Sequence, residues 1–246
     1  MIKFNLNILQ TCTSTNDVAI KKAKKGLPEG SSYLAYLQTN GRGRNNNQWE
    51  SMQGNLFLST IFRPNTSKVN WHQLSLIIGI SIVEILPKLG VRKNQIKLKW
   101  PNDVLVEGKK ISGVLLESFD DFIVAGIGMN ILKNPQNEQK WSTTKLYDHT
   151  NKNFSLKYIA DIILEVIFKN YVIWEKKGFS YFKEKINKNL YKINNKIVIK
   201  LNPKTNNISG VFLGLGDNGS LKVKVGNKFL EYYSVESFFF PDEESL

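Results

Sequence analysis

Cysteine is nearly absent. Cys12 is the only one in 246 residues, which excludes an intramolecular disulfide framework and any cysteine-built zinc site. Histidine is almost as scarce: His72 and His149 lie far apart with no HExxH-type spacing, so a histidine-rich metal centre is not expected. The start, Met1-Ile2-Lys3-Phe4-Asn5-Leu6-Asn7, has no apolar h-region, and no uninterrupted apolar run reaches the roughly 18 residues of a membrane span. These absences predict a soluble, cytoplasmic protein with no membrane segment. Arginine is rare too, four against 30 lysines, and two of the four, Arg42 and Arg44, share one short stretch.

What the chain has is positive charge on an ordinary globular background. Hydrophobic residues make up 41% and charged residues 22%, which argues against wholesale disorder. The net charge is +13. Residues 1–188 carry 27 basic and 15 acidic side chains, and 189–246 carry 7 and 6, so the excess sits in the larger part. A lysine-rich solvated surface is the plain account. Attraction to a polyanion, nucleic acid or a phosphate-bearing substrate, is the functional one.

Alternation predicts strands over 2–10, 33–39 and 56–62, with a short helix over about 16–25 after Thr13-Ser14-Thr15-Asn16-Asp17. Leu74, Ile77, Ile78, Ser81, Ile82 and Ile85 have helical spacing and end before Gly90. Strands over 96–100, 110–119 and 122–131, split by turn residues, predict an antiparallel meander. A long amphipathic helix over about 156–177 is capped by Ser155 and closed by Gly178, and a second helix runs to about 190. From about 194 the period switches to two, and four or five short strands suggest a small barrel.

Four stretches can carry chemistry. Gln38-Thr39-Asn40-Gly41-Arg42-Gly43-Arg44 combines glycines that permit close backbone approach with fork-shaped donors for carboxylate or phosphate. It is neither a dinucleotide fingerprint nor a Walker loop. Lys99-Trp100-Pro101-Asn102-Asp103 ends a strand and sets a cation, an amide and a carboxylate together, which suits a nucleotide phosphate with its magnesium ion. In Lys109-Lys110-Ile111-Ser112-Gly113-Val114-Leu115-Leu116-Glu117, alternation sends one lysine to a sheet face and the other to solvent. Gly126-Ile127-Gly128-Met129-Asn130 is a glycine-spaced strand end on which a flat ligand could rest.

In this order and spacing, the sequence resembles the biotin–protein ligase family over nearly its whole length. The marks are Ser14-Thr15-Asn16, the Gln38 to Arg44 loop with Trp49 and Asn55-Leu56-Phe57-Leu58-Ser59 behind it, Lys99 to Asp103, Lys110-Ile111-Ser112-Gly113, and Gly126 to Asn130. The resemblance implies an α+β fold: a mixed, largely antiparallel sheet with helices, of the class II synthetase/biotin ligase-like type, over 1–190. A small SH3-like β-barrel is implied over 191–246. It implies that biotin and MgATP give biotinyl-5′-AMP, and that the biotinyl group passes to a lysine of a biotin carboxyl carrier protein.

By the same resemblance, Ser14, Thr15, Asn16 and Gln38 contact the ureido ring, with Gly113, Gly126 and Gly128 on the biotin side. Arg42, Gly43 and Arg44 form the loop that closes over biotin and phosphates, and Lys110 meets the biotin carboxylate. Trp49, Asn102, Asp103, Asn130 and Trp141 fall to the nucleotide, and Asp103 to Mg²⁺. Arg44, Lys110, Asp103 and Lys99 are the catalytic candidates, Asp103 also as the group that takes up the acceptor lysine's proton. The family loop often reads GRGRxGR; here Asn45-Asn46-Asn47 follow Arg44, so a third cation and a glycine hinge are missing.

The chain begins at the catalytic domain, so a form without the N-terminal DNA-binding domain is expected, and DNA binding is not. Oligomeric state, homodimer included, stays open. A lipoate ligase relative is disfavoured because the Ser-Thr-Asn/Gln set suits a ureido ring better than a dithiolane. A nucleic-acid-binding module would need a recognition helix or aromatics on a basic face, and the basic residues are scattered.

Overall fold

A computed structural model of the chain describes residues 3–135, 142–201 and 206–241. The first sheet contains β1 (Asn5–Cys12), β2 (Ser31–Gln38), β3 (Leu56–Phe62), β4 (Ile96–Lys99), β5 (Asp103–Val106), β6 (Lys109–Ser118) and β7 (Ile123–Met129). Its order is β1-β2-β3-β7-β6-β5-β4. Only β1 and β2 run parallel, joined through helix α1 (Thr15–Ala23); every other pair is antiparallel. The sheet is thus mixed and largely antiparallel, and the expected meander after residue 96 is present with one more strand than expected. Asp103–Val106 pairs on both sides, although its four residues sit between two turn signals.

Helices cover the two faces unequally. On one face, α2 (Gln73–Ile85) is buried almost all round and α3 (Leu156–Lys177) packs over it. The Ser155 hydroxyl accepts from the Tyr158 N–H at 3.1 Å, and Gly178 at φ +72° ends α3, as its cap residues predict. Gly79 lets α2 press on β4, since a Cβ there would stand 2.6 Å from Leu98. On the other face, α1 sets Ala19 and Ala23 against Tyr33, Ile61, Phe122 and Val124.

Helix α4 (Ser180–Asn189) leads into a second sheet of β8 (Lys196–Lys200), β9 (Ile208–Leu215), β10 (Leu221–Val225), β11 (Lys228–Tyr232) and β12 (Ser237–Phe239). It is antiparallel throughout, in the order β11-β10-β9-β8-β12. Ile197, Ile199, Phe212, Leu221, Val223 and Phe238 join the same apolar cluster as α2 and α3. Trp100 Nε1 donates to the Gly219 carbonyl at 3.0 Å, which bonds the end of β4 to the second sheet. Among the described residues no helix is long and apolar enough to cross a membrane.

Candidate active site

The face that α1 covers only in part opens into a cleft of about 970 Å³. Its floor is sheet. With a two-residue period, Ala125, Ile127 and Met129 of β7 turn to the helical core, which leaves Gly126 and Gly128 facing the cleft. A Cβ at 126 would run into the Asn16 amide and one at 128 into the Trp49 indole, so either side chain would have to shift.

Strand β6 carries a bulge that decides which lysine reaches the site. Val104 pairs with Ser112, but Leu105 pairs with Lys110, so Ile111 is the extra residue. Strict alternation from Gly113 would bring Lys109 to the cleft face. The bulge instead buries Ile111 in the core, brings Lys110 into the cleft and leaves Lys109 exposed. Lys110 Nζ lies 2.8 Å from Asp103 Oδ1, and its ammonium sits 5.2 Å from the centre of the Trp49 ring. Both are cleft-side contacts of one cation.

At the α1 end, beside Arg42, the lining formed by Ser14, Thr15, Asn16 and Gln38 is uncharged and buried. Ser14, Thr15 and Asn16 are each 3% exposed, and Ser59 is fully buried. Gln38 Oε1 accepts from the Thr15 N–H at 2.8 Å, and Gln38 Nε2 donates to Ser51 Oγ at 3.0 Å. Ser59 Oγ lies 2.6 Å from Asn16 Oδ1 and 2.7 Å from Thr15 Oγ1. The Asn16 amide donates to Glu117 at 2.6 Å.

The Gly41–Gln48 loop is an ordered small hairpin. Arg42 bridges Gln48, the Gly43 N–H donates to the Asn47 carbonyl at 2.7 Å, and Arg44–Asn46 forms a 3-10 turn. Arg42 Nη1 bonds Asp17 at 2.6 Å, and Nη2 meets both oxygens of Glu117 at 3.0 Å. Burial pulls the Arg42 guanidinium down, but the hydrogen bonds and charges of Asp17 and Glu117 outweigh it and leave it above its ordinary value. Arg44 differs. It donates to Asn102 Oδ1 at 3.3 Å, and burial lowers its pKa, only partly offset by Asp103. Asn45, at φ +53°, donates to the Glu236 carbonyl at 2.8 Å, so the loop is tied to the second sheet.

One cleft therefore gathers Ser14, Thr15, Asn16, Gln38, Arg42, Gly43, Arg44, Trp49, Lys99, Asn102, Asp103, Lys110, Gly113, Gly126 and Gly128, nearly the whole set expected from the sequence. One described residue of that set is not there. Asn130 does not line the cleft: it is 1% exposed, and its amide donates to the Thr144 carbonyl at 3.1 Å, holding the chain that follows β7. Trp141 lies outside the described residues. Trp49, expected on the nucleotide side, stands over Gly113 and Gly128 on the side expected for biotin.

Lys200, Val235 and the Glu236–Phe239 strand edge also line the cleft, and sequence reasoning had left them out. It also missed Asp17, Ser51, Ser59 and Glu117 as partners; only their place in the three-dimensional network marks them. No group of three or more His, Cys, Asp or Glu among the described residues could hold a metal ion.

A glycine-floored cleft with an uncharged hydrogen-bonding end and a cationic end suits a small ligand that is neutral at one end and anionic at the other. The family model for the biotin/lipoate A/B protein ligase family matches residues 8–134, more than half the chain, and the chain belongs to that family. It is 30% identical to the biotin protein ligase of Aquifex aeolicus in a complex with biotin and ATP, with a TM-score of 0.83 over 96% of this chain and 99% of that one. It is 29% identical over 238 residues to the bifunctional ligase/repressor BirA of Bacillus subtilis, covering 91% of this chain and 70% of that protein. Against the biotin–[acetyl-CoA-carboxylase] ligase of Mycobacterium tuberculosis it is 28% identical over 227 residues, 91% of this chain and 84% of the relative.

Proposed function

We propose that the chain is a biotin–protein ligase, forming biotinyl-5′-AMP from biotin and ATP and passing the biotinyl group to a lysine of a carboxylase's carrier domain. The observation that carries this reading is one cleft joining an uncharged hydrogen-bonding end, Thr15, Asn16 and Gln38, to a cationic end, Lys110 and Arg44. A cyclic urea matches the first and a carboxylate beside a phosphate the second. A dithiolane has no hydrogen bonds to offer Thr15 and Gln38, which disfavours lipoate.

Adenylation brings two anions together. The biotin carboxylate attacks the α-phosphorus and pyrophosphate leaves, so the barrier is their repulsion and the charge of the transition state. Lys110 and Arg44 supply fixed positive charge there, and no protein nucleophile is needed. In the second step the acceptor amine attacks the acyl carbon and AMP leaves. With a pKa of about 10.4, about one amine in 10³ is neutral at pH 7; we assign the uptake of its proton to Asp103, which lies in the cleft beside Lys110.

The nucleotide enters as its Mg²⁺ complex. A site with one carboxylate and one amide, Asp103 and Asn102, suits an ion that keeps most of its coordination from phosphates and water. In this reading residues 1–190 form the catalytic unit and 191–246 an SH3-like unit that supplies the far wall of the cleft. The test is incubation with ATP, labelled biotin or lipoate, and a carboxyl-carrier domain. Biotin transfer supports the reading; lipoate transfer alone, or none, refutes it.

A further inference from the structure

Glu117 makes two bonds that bear on the ring end of the cleft: its carboxylate accepts from Asn16 Nδ2 at 2.6 Å and from Arg42 Nη2 at 3.0 Å. We propose that Glu117 is a positioning residue that fixes the sense of the hydrogen bonds of Asn16 and Ser59, and so makes this end of the cleft select a ligand with ring N–H groups. The inference rests on the biotin reading above.

The argument is one of donors and acceptors. A carboxylate held by a guanidinium accepts and does not donate. The Asn16 amide must therefore turn its NH₂ to Glu117 and its carbonyl oxygen to Ser59. Ser59 has a single hydroxyl hydrogen, which goes to Asn16 Oδ1 at 2.6 Å. The Thr15 hydroxyl then has two acceptors within reach, Ser59 Oγ at 2.7 Å and Gln38 Oε1 at 3.0 Å. Gln38 Oε1 keeps the Thr15 backbone N–H as its fixed donor at 2.8 Å, which turns Gln38 Nε2 to Ser51.

These side chains are buried, so water cannot repair a bond of the wrong sense. A flipped Asn16 would set a carbonyl oxygen against the carboxylate. In the enforced sense, Asn16 Oδ1 retains a lone pair for a ligand N–H. A cyclic urea brings two such groups, and a dithiolane brings none. Through Arg42 the same carboxylate also anchors the base of the Gly41–Gln48 loop.

Glu117→Gln is nearly isosteric, but its amide donates or accepts, so both senses of the chain become available. The expected result is a biotin dissociation constant, measured by calorimetry without ATP, raised about tenfold or more. KM for biotin rises with it, while kcat at saturating biotin and KM for ATP stay within about threefold. Asp17→Asn removes the other carboxylate from Arg42 but leaves Asn16 its partner, and shifts biotin binding less than Glu117→Gln. Unchanged biotin affinity in folded Glu117→Gln overturns the inference, and so does an equal loss in Asp17→Asn, which would assign the effect to Arg42. If Glu117→Gln does not fold, Ser59→Ala breaks the same chain one step on: a similar loss of affinity supports the inference and unchanged binding overturns it. A wild-type chain that binds no biotin refutes instead the ligase reading underneath.

Discussion

Replacing Lys110 by methionine separates a structural role from a catalytic one. Methionine keeps an apolar stem beside Trp49 and removes the charge. At 2.8 Å from Asp103, the gross attraction is about 6 kcal/mol at an effective dielectric of about 20. The two side chains are 20% and 17% exposed, so desolvation and screening cancel most of it, leaving about 1 kcal/mol of stability. That corresponds to about 2–4 °C in Tm for a chain of this size. Loss of a preorganised charge at the reacting carboxylate and phosphate costs far more, about 10²- to 10³-fold in rate. The assay is pyrophosphate release in a single turnover with biotin and ATP, beside a thermal melt. A small fall in Tm with a large fall in rate is expected. A rate within about threefold of wild type, whatever the Tm, would make Lys110 only a partner for Asp103 and refute the reasoning.

Arg44→Ala is expected to slow adenylate formation about 10²-fold by the same loss of fixed charge; an unchanged single-turnover rate would refute it. Gly128→Ala places a methyl group in the Trp49 ring, at a cost of about 1–3 kcal/mol, read as a lower Tm or weaker biotin binding; neither change would show that the indole moves aside freely. Asn45→Ala loses the bond to Glu236 and puts alanine at φ +53°, and limited proteolysis of the loop should speed up several-fold, by about 1 kcal/mol of opening. Asn45→Gly retains the backbone freedom and should lie between the two; equal cleavage in all three would remove the tether from the account.

Legibility followed how local the determinant is. Helix α3 could be read to the residue because Ser155 and Gly178 act within one turn of its ends. Strands β5 and β12, of four and three residues, were missed because their partners alone define them, β4 and β6 for one and β8 for the other. The site blocks were legible because glycines, arginines and the Trp100-Pro101-Asn102 turn are chemically conspicuous in short windows. The choice of Lys110 over Lys109 came from the family resemblance alone, since alternation leaves it open and it depends on a bulge visible only once β6 is paired with β5. Ser59 and Glu117 were hidden for the same reason. A lone serine or glutamate in a strand looks like any other until the neighbouring element supplies its bond.

The two loop arginines do different work, and the charge around each says which. Arg42 meets Asp17 and Glu117, one positive charge against two negative ones. Little of its field is left for an anion, so an uncharged ring fits beside it and a phosphate does not. Arg44 and Lys110 share one carboxylate, Asp103, two positive charges against one. That end is net positive and partly withdrawn from water, where a fixed charge acts most strongly. In the proposed function, this charge pattern is what orients a ligand that is neutral at one end and anionic at the other. A third loop arginine would add charge at the same end. Here Asn47 stands at that position, and Asn45 bonds the second sheet through its side chain.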